Sequence, residues 1–584
     1  MKTARVSTRK QRGAHFTPPE LARFLAARLI GHLGTGHPET LRVLDPACGD
    51  GELLAALAQQ AEGIRHRLEL VGVETDGATC QEARLRLAAC QVDSVDVLHG
   101  DFLESAAARR EPPGLWTRAE VPLLLQEPFD VVIANPPYVR TQVVGAKKAQ
   151  ELAASFGLTG RVDLYHPFLI AATESLAAGG VIGVITSNRF LCTQAGAAVR
   201  GYLSGQYDAL EIIDLGDTKL FEAAVLPAIF IGRRLAGARP SRVPLTRFVR
   251  VYSSDQADES VCHERRESVF ELLDAETNGT FRVPTGVFDV SVGQCRVPPS
   301  GKQPWNMLTD RDSGWMQGIK QKAVGVIQDF AAVRVGVKTT ADRVFIRSDW
   351  ESLPANLHPE PELLHPLRTH EDARRWFADS TQPPRYTVLY PHEVVSGQRQ
   401  PVDLRRFPRA KRYLESHRHE LEAREYVIQA GRRWYEIWVP QDPNVWSTPR
   451  IVCPDISPEP RFYLDKSGWI VNGDSYWITL RPGQPADLLY LILAVANSRV
   501  MAAYHDLAFN NRLYSGRRRY LTQHVAQYPL PDPASSAGSE LVRLVRTFVG
   551  EQCADPKKQS RFEETVNRLV AAAFDAQPLE LRNR

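Results

Sequence analysis

Residues 129–134 read Phe-Asp-Val-Val-Ile-Ala, an almost unbroken apolar run that stops at Asn135-Pro136-Pro137-Tyr138. A run this short, without a 3.6-residue period, predicts a β-strand covered on both faces. Neither proline has an N–H to give to a sheet, so the strand ends there. An amide, two rigid residues and an aromatic ring are thereby presented at the carboxyl end of a central strand. In open α/β sheets that edge is where ligands bind.

The chain before and after this run keeps a strand–helix rhythm. Strands are expected at 41–45, 70–74, 95–102 (with its exit turn), 180–186, 210–215 and 228–232. Helices are expected at 52–61, 78–90 and 164–176, and a long proline-rich loop at 104–128. This alternation predicts an α/β domain with a mostly parallel, Rossmann-like sheet and helices on both faces. An earlier helix opens at residue 17. Thr17 is expected as its N-cap, Pro18 as the first helical residue and Glu20 as the partner of a capping box. Residues 1–12 read as a flexible basic arm. The rhythm fails near residue 236, where Pro, Trp and Tyr become frequent and the periodic segments shorten. The expected division is an arm at 1–12, a catalytic domain at 13–238, a mixed α+β region at 239–535 and C-terminal helices at 536–584.

The sequence shows no apolar run long enough to span a membrane and no secretory leader, so a cytoplasmic location is expected. Its eight cysteines form no CxxC pair, so neither a metal site nor a disulfide framework is expected. A net charge of +3 neither demands nor excludes nucleic acid.

The chemistry is concentrated at strand ends. Asp45-Pro46-Ala47-Cys48-Gly49-Asp50-Gly51 is a strand-to-helix glycine turn, but it lacks both a GxGxxG spacing and the GK[ST] of a P-loop. Acidic residues surround its glycines, at Asp45, Asp50 and Glu52, which suits a cationic, hydroxyl-rich ligand better than a pyrophosphate. S-adenosylmethionine, with its ammonium and sulfonium charges, has that character. Glu74 ends the second strand, where a carboxylate can accept both ribose hydroxyls. Asp101 and Phe102 end the third, where a carboxylate can accept from an adenine amine and a ring can cover its face. At the fourth, the Asn135 side-chain oxygen and the Pro136 carbonyl are two acceptors suited to an exocyclic base amine. Taking its N–H bonds draws the nitrogen lone pair out of conjugation with the base. Tyr138 offers a face for stacking, and a base reached in this way must first leave its duplex.

These motifs in this order resemble the amino-methylating DNA methyltransferases of the gamma arrangement, similar to the adenine-N6 enzymes of bacterial type II restriction-modification systems. The resemblance covers 13–235 well. It implies a class I S-adenosylmethionine-dependent fold followed by a target-recognition domain. It also implies cofactor contacts at Thr17, Pro18, Asp45, Ala47, Gly49, Glu74, Asp101 and Phe102, and a catalytic group of Asn135, Pro136 and Tyr138. Phe221 falls where the family places a second aromatic ring against the flipped base. The expected partner is double-stranded DNA. No paired-carboxylate nuclease motif stands in 240–584, so the cognate restriction endonuclease is expected on a separate chain. A monomer acting twice suffices for a palindromic site. The Asn-Pro-Pro-Tyr form favours adenine-N6, and cytosine-N4, RNA or protein-glutamine methylation remain alternatives. In the C-terminal half, 336–342, Trp434-Tyr435, 449–451, 497–498 and 528–531 resemble the same group less specifically. Lys338, Arg432, Arg433, Arg512 and 517–519 are expected donors to phosphate or guanine edges.

Overall fold

The computed structural model describes residues 17–33, 39–62, 67–110, 122–137, 154–158, 165–193, 196–218, 220, 226–237, 244–254, 264–378, 384–509, 517–551 and 555–576. The chain forms two compact units, the first ending at Arg311 and the second beginning at Asp312.

The first unit is built on one sheet. In chain order its elements are α1 (Pro19–Gly31), β1 (Thr40–Asp45), α2 (Glu52–Ala61), β2 (Arg67–Glu74), α3 (Gly77–Leu87), β3 (Ser94–His99) and α4 (Phe102–Arg110). There follow β4 (Phe129–Ala134), α5 (Tyr165–Ser175), β5 (Leu176–Ser187), α6 (Ala197–Gln206), β6 (Tyr207–Asp214) and β7 (Pro227–Arg234). The strands lie in the order β3-β2-β1-β4-β5-β7-β6. Those from β3 to β5 pair in parallel, and β7 runs antiparallel between β5 and β6. This is the Rossmann-like α/β sheet that the strand–helix rhythm requires.

The central position of β4 explains its unbroken apolar run. Val131 and Ile133 point into a core shared with α1, α2 and α3. Val132 and Ala134 point the other way, into a core shared with α4, α5 and α6. Both faces are dry, so neither phase of the two-residue period can be polar.

Three elements differ from the sequence reading. The segment after residue 104 begins not as a loop but as helix α4, whose only fully buried side chains are Phe102 and Ala106, one turn apart. So thin an apolar stripe is hard to see as a period. The helix at residue 17 starts later than expected: Pro18 occupies the N-cap, Pro19 the first turn, and no side chain caps the end. The sheet also continues past residue 238, through β8 (Thr246–Ser253), β9 (Glu264–Arg265), β10 (Gly279–Val283) and β11 (Gly286–Cys295). They extend the order as β6-β8-β11-β10-β9, so the far edge is the two-residue strand β9. The break in rhythm near 236 therefore falls within one compact unit, where β8 lies parallel to β6 and antiparallel to β11, and β10 and β11 form a hairpin.

The second unit is mixed α+β. One four-stranded sheet contains Ala331–Val335, Ser475–Leu480, Arg450–Pro454 and Tyr463–Asp465; another contains Ile346–Arg347, Tyr386–Leu389, Leu364–Arg368 and Ile470–Val471. The apolar helix Leu488–Ala496 is almost wholly buried and packs on the terminal helices Ser536–Glu551 and Pro556–Ala573. Among the described residues no single helix is long and apolar enough to cross a membrane.

Candidate functional site

The register of the parallel strands aligns the predicted residues. Asp45 pairs with Gly72, and Leu44 with Val132. Glu74, two residues past Gly72, and Asn135, three past Val132, therefore come level with Ala47. His99 pairs with Glu74, and Asp101 lies two residues beyond it. The carboxyl ends of four adjacent strands thus carry Asn135, the glycine turn, Glu74 and Asp101 in spatial order. With strands about 4.8 Å apart, the row spans on the order of 14 Å.

The turn is folded tightly onto β2. The Cys48 N–H donates to the Val73 carbonyl at 2.9 Å, and the Gly51 N–H to the Cys48 carbonyl at 2.8 Å. Gly72 makes room for this approach, since a Cβ there would lie 2.8 Å from the Cys48 sulfur. Gly49 and Gly51 adopt φ of 54° and 84°, values that favour glycine. Glu74 braces the turn from the next strand: its Oε2 accepts from the Gly49 N–H at 3.1 Å and its Oε1 from the Asp76 N–H at 2.7 Å.

The acidic residues of the turn divide into two groups. Arg86 on α3 binds Asp50 at 2.8 Å and also pairs with Glu52, so these two carboxylates share one cation. Nothing local in the sequence identifies Arg86 as their partner. Asp45 has no such cation among the described residues. It is 1% exposed and accepts from the Ala47 N–H at 3.0 Å. Burial pushes its carboxyl up to about 8; the Ala47 N–H offsets this only in part, and the charges of Glu74 and Asp50 add to it. A buried carboxyl facing another carboxylate is a seat for a positive charge. The donor set therefore fits a cationic nucleoside ligand, and S-adenosylmethionine is of that kind. Burial also raises the Cys48 thiol far above its usual range, so it is no nucleophile. Among the described residues no group of His, Cys, Asp or Glu is placed to hold a metal ion.

At the end of β4, Pro136 is buried and Asn135 partly so. The Asn135 Nδ2 donates to the Thr17 hydroxyl at 3.1 Å, and its Oδ1 is shielded from solvent. Thr17, expected as a helix cap, thus faces the Asn-Pro-Pro motif instead. Asp101 has a structural task as well, since its Oδ1 accepts from the Leu103 N–H at 2.9 Å and caps α4. Phe102 is 3% exposed, with its ring centroid 5.7 Å from that of Phe168 in the core. Ala47 is partly buried against that same core. Tyr138 and Phe221 lie outside the described residues. The backbone leading towards Phe221 is held by Asp214, which accepts from the Tyr252 hydroxyl at 2.6 Å, from Asn188 at 3.0 Å and from the Gly216 N–H at 3.1 Å.

In the second unit most of the expected DNA donors are engaged internally. Arg432 donates to the carbonyls of Ile437 and Trp438, and Arg433 to the Tyr435 hydroxyl at 2.7 Å. Arg518 pairs with Asp506 and Arg519 with Asp455. The stretch 336–342 is a packing junction: a Cβ on Gly336 would lie 1.8 Å from the Asn472 carbonyl oxygen. Arg424 donates to the Thr339 carbonyl at 2.8 Å. Arg517 is exposed, and Arg512 lies outside the described residues.

Residues 69–221 match the Eco57I restriction-modification methylase family. Over 574 residues, 98% of this chain and 98% of its relative, the sequence is 41% identical to the type II methyltransferase M.BanIII of Aneurinibacillus aneurinilyticus. The chain belongs to the type II restriction-modification methyltransferases. This methyltransferase is also 25% identical to M.PaeR7I of Pseudomonas aeruginosa, across 89% of its own length and 86% of that protein. Among solved structures it resembles DrdV, determined as a DrdV–DNA complex. The TM-score is 0.50 at 13% identity, over 94% of this chain and 58% of DrdV, a likeness that shows the fold alone.

Proposed function

We propose that this methyltransferase transfers a methyl group from S-adenosylmethionine to the N6 amine of an adenine flipped out of double-stranded DNA. In this reading it protects its site from a restriction endonuclease carried on another chain. The observation that carries the proposal is the row of strand ends, with the Asn135 amide at one end and the acidic cradle of Asp45 and Glu74 beside it. When bound, the cofactor supplies an electrophilic methyl on a sulfonium whose sulfur departs as a neutral thioether.

The remaining chemistry belongs to this chain. Asp45 and Glu74 offset the cofactor's positive charge, and Glu74 accepts from the ribose while holding Gly49. Asp101 is the acceptor for the cofactor's adenine amine, and Phe102 shapes the wall behind it. At the target, the Asn135 Oδ1 and the Pro136 carbonyl accept the two amine hydrogens. The nitrogen lone pair then turns out of the ring and towards the methyl carbon. With the cofactor bound, its methyl would pass to this nitrogen as the C–S bond breaks, and the nitrogen's surplus proton would leave to water. Two fixed dipoles aimed at the reacting nitrogen act as an oxyanion hole does, at the position where charge changes. Tyr138 is assigned to stack on the flipped base, with Phe221 on its other side.

Labelled cofactor, unmethylated genomic DNA and digestion to nucleosides test the reaction. Label in N6-methyladenine is the expected result, and label in N4-methylcytosine would sink the adenine assignment. Asn135→Ala should lose on the order of 10²- to 10³-fold in kcat, as when an aligned dipole is removed, while still binding cofactor. Full activity in that variant would refute the role of Asn135.

A further inference from the structure

A carboxamide serves this reaction in only one orientation. With its oxygen towards the target it accepts from the amine. Rotated by half a turn, it presents an NH₂ to another NH₂ and opposes binding. The hydrogen bond from the Asn135 Nδ2 to the Thr17 hydroxyl, 3.1 Å, bears on that choice. We infer that Thr17 is a positioning residue that holds the Asn135 carboxamide with its Oδ1 as the acceptor for the target amine. The inference rests on the reading of Asn135 as the catalytic amide, and it separates Thr17 from the cofactor contacts.

Five features make Thr17 suitable. It is 8% exposed, so water competes poorly for its hydroxyl. It precedes two prolines, and a residue before proline is confined to extended backbone. Its β-branched side chain has few χ1 states. It also leads into a helix that is firmly seated. Leu25 and Leu29 of α1 lie so close over β5 that a Cβ on Gly183 would come within 3.0 Å of both side chains. At the far end of α1, Arg28 and His32 bind Glu211 of β6 at 2.6 and 2.5 Å. A hydroxyl carried by such an element keeps its place when DNA arrives. No side-chain hydrogen bond caps α1, so Thr17 has no competing task there.

The test compares Thr17→Val, which keeps the shape without the hydroxyl, with Thr17→Ser, which keeps the hydroxyl. Calorimetry with S-adenosylhomocysteine reads the cofactor site, and steady-state methylation of unmethylated genomic DNA reads kcat and KM. Thr17→Val should bind S-adenosylhomocysteine as wild type does and melt at the wild-type temperature. Its kcat should fall by on the order of 10- to 100-fold, the cost of misplacing one reacting group. Thr17→Ser should recover most of that loss. On an Asn135→Ala background, Thr17→Val should add nothing, because both changes remove the same contact. Affinity for S-adenosylhomocysteine falling in step with kcat would overturn the inference and return Thr17 to the cofactor site. So would a Thr17→Ser variant as slow as Thr17→Val. Thr17→Val with normal turnover beside an inactive Asn135→Ala overturns this inference alone, whereas a normally active Asn135→Ala overturns the underlying reading as well.

Discussion

Asp45 makes cofactor binding a proton-linked event. With its carboxyl pushed up to about 8 by burial, and further by Glu74 and Asp50, the ligand-free protein is mostly protonated there at neutral pH. A cationic ligand requires the carboxylate, so binding expels the proton. Affinity should climb with pH and level off above about 8. Below that value it falls by at most about tenfold per pH unit for one linked proton, or about 100-fold between pH 8 and 6, equivalent to about 3 kcal/mol. Stability shows the same linkage with opposite sign. The folded value lies above the unfolded one, so the contribution is fully present below about pH 4 and is lost as pH rises to about 8. Asp45→Asn keeps an oxygen for the Ala47 N–H but never ionises. At pH 8 and above, it should therefore melt higher than wild type when ligand-free, yet bind cofactor more weakly and with no pH dependence. Calorimetry with S-adenosylhomocysteine from pH 6 to 9, in buffers of different ionisation enthalpy, reads both affinity and proton release. A flat affinity with no proton released would refute the reasoning, as would an Asp45→Asn variant with the wild-type slope.

Glu211 gives the opposite acid response. Its bonds to His32 and Arg28 outweigh the cost of burial and hold it down to about 2, so its stabilisation is present above about pH 4.5 and lost as pH falls towards 2. Glu211→Ala should cost about 2–3 kcal/mol in denaturant unfolding; that is less than a fully buried pair because Arg28, His32 and Arg247 are each about a quarter exposed and rehydrate. Glu74→Ala removes the brace on Gly49 together with the proposed ribose acceptor, and should weaken S-adenosylhomocysteine binding by on the order of 10- to 100-fold in calorimetry. Gly183→Val forces methyl groups into Leu25 and Leu29. It should cost about 1–3 kcal/mol in thermal unfolding and also slow methylation, because the helix it displaces follows Thr17.

The parts of this methyltransferase that the sequence makes visible are those set by local rules. The run 129–134 is apolar because both faces of β4 are covered, and two prolines end it. The acidic glycine turn, Glu74 and Asp101 are legible because parallel strands bring their exits to one edge in chain-derived order. What escapes is what depends on distant partners. That Arg86 is shared by Asp50 and Glu52, while Asp45 has no cation among the described residues, follows from where α3 packs. Thr17 reads as a helix cap because a threonine before proline and glutamate has that local signature; its hydroxyl instead meets a residue far along the chain. Phe102 reads as a ligand-facing ring from its strand exit, yet a turn of helix carries it into the core. The strands β8 to β11, of mixed parallel and antiparallel pairing, lack the βα rhythm that identifies their neighbours. Arginines in the second unit have the composition of a DNA surface, but composition does not show which of them are spent on carbonyls and carboxylates of the same unit.

The far edge of the catalytic sheet has a consequence for how the enzyme behaves in a crowded cell. A sheet of eleven strands offers two open edges, and an open edge is a template on which a second chain can add a strand. Here, among the described residues, the series closes on Glu264-Arg265, two residues that are both charged and both exposed. A foreign strand would gain a couple of ladder bonds and meet charges of both signs. At this end the sheet therefore offers little for aggregation to extend, and the longer open edge is left to β3, Ser94–His99, at the other end of the strand order.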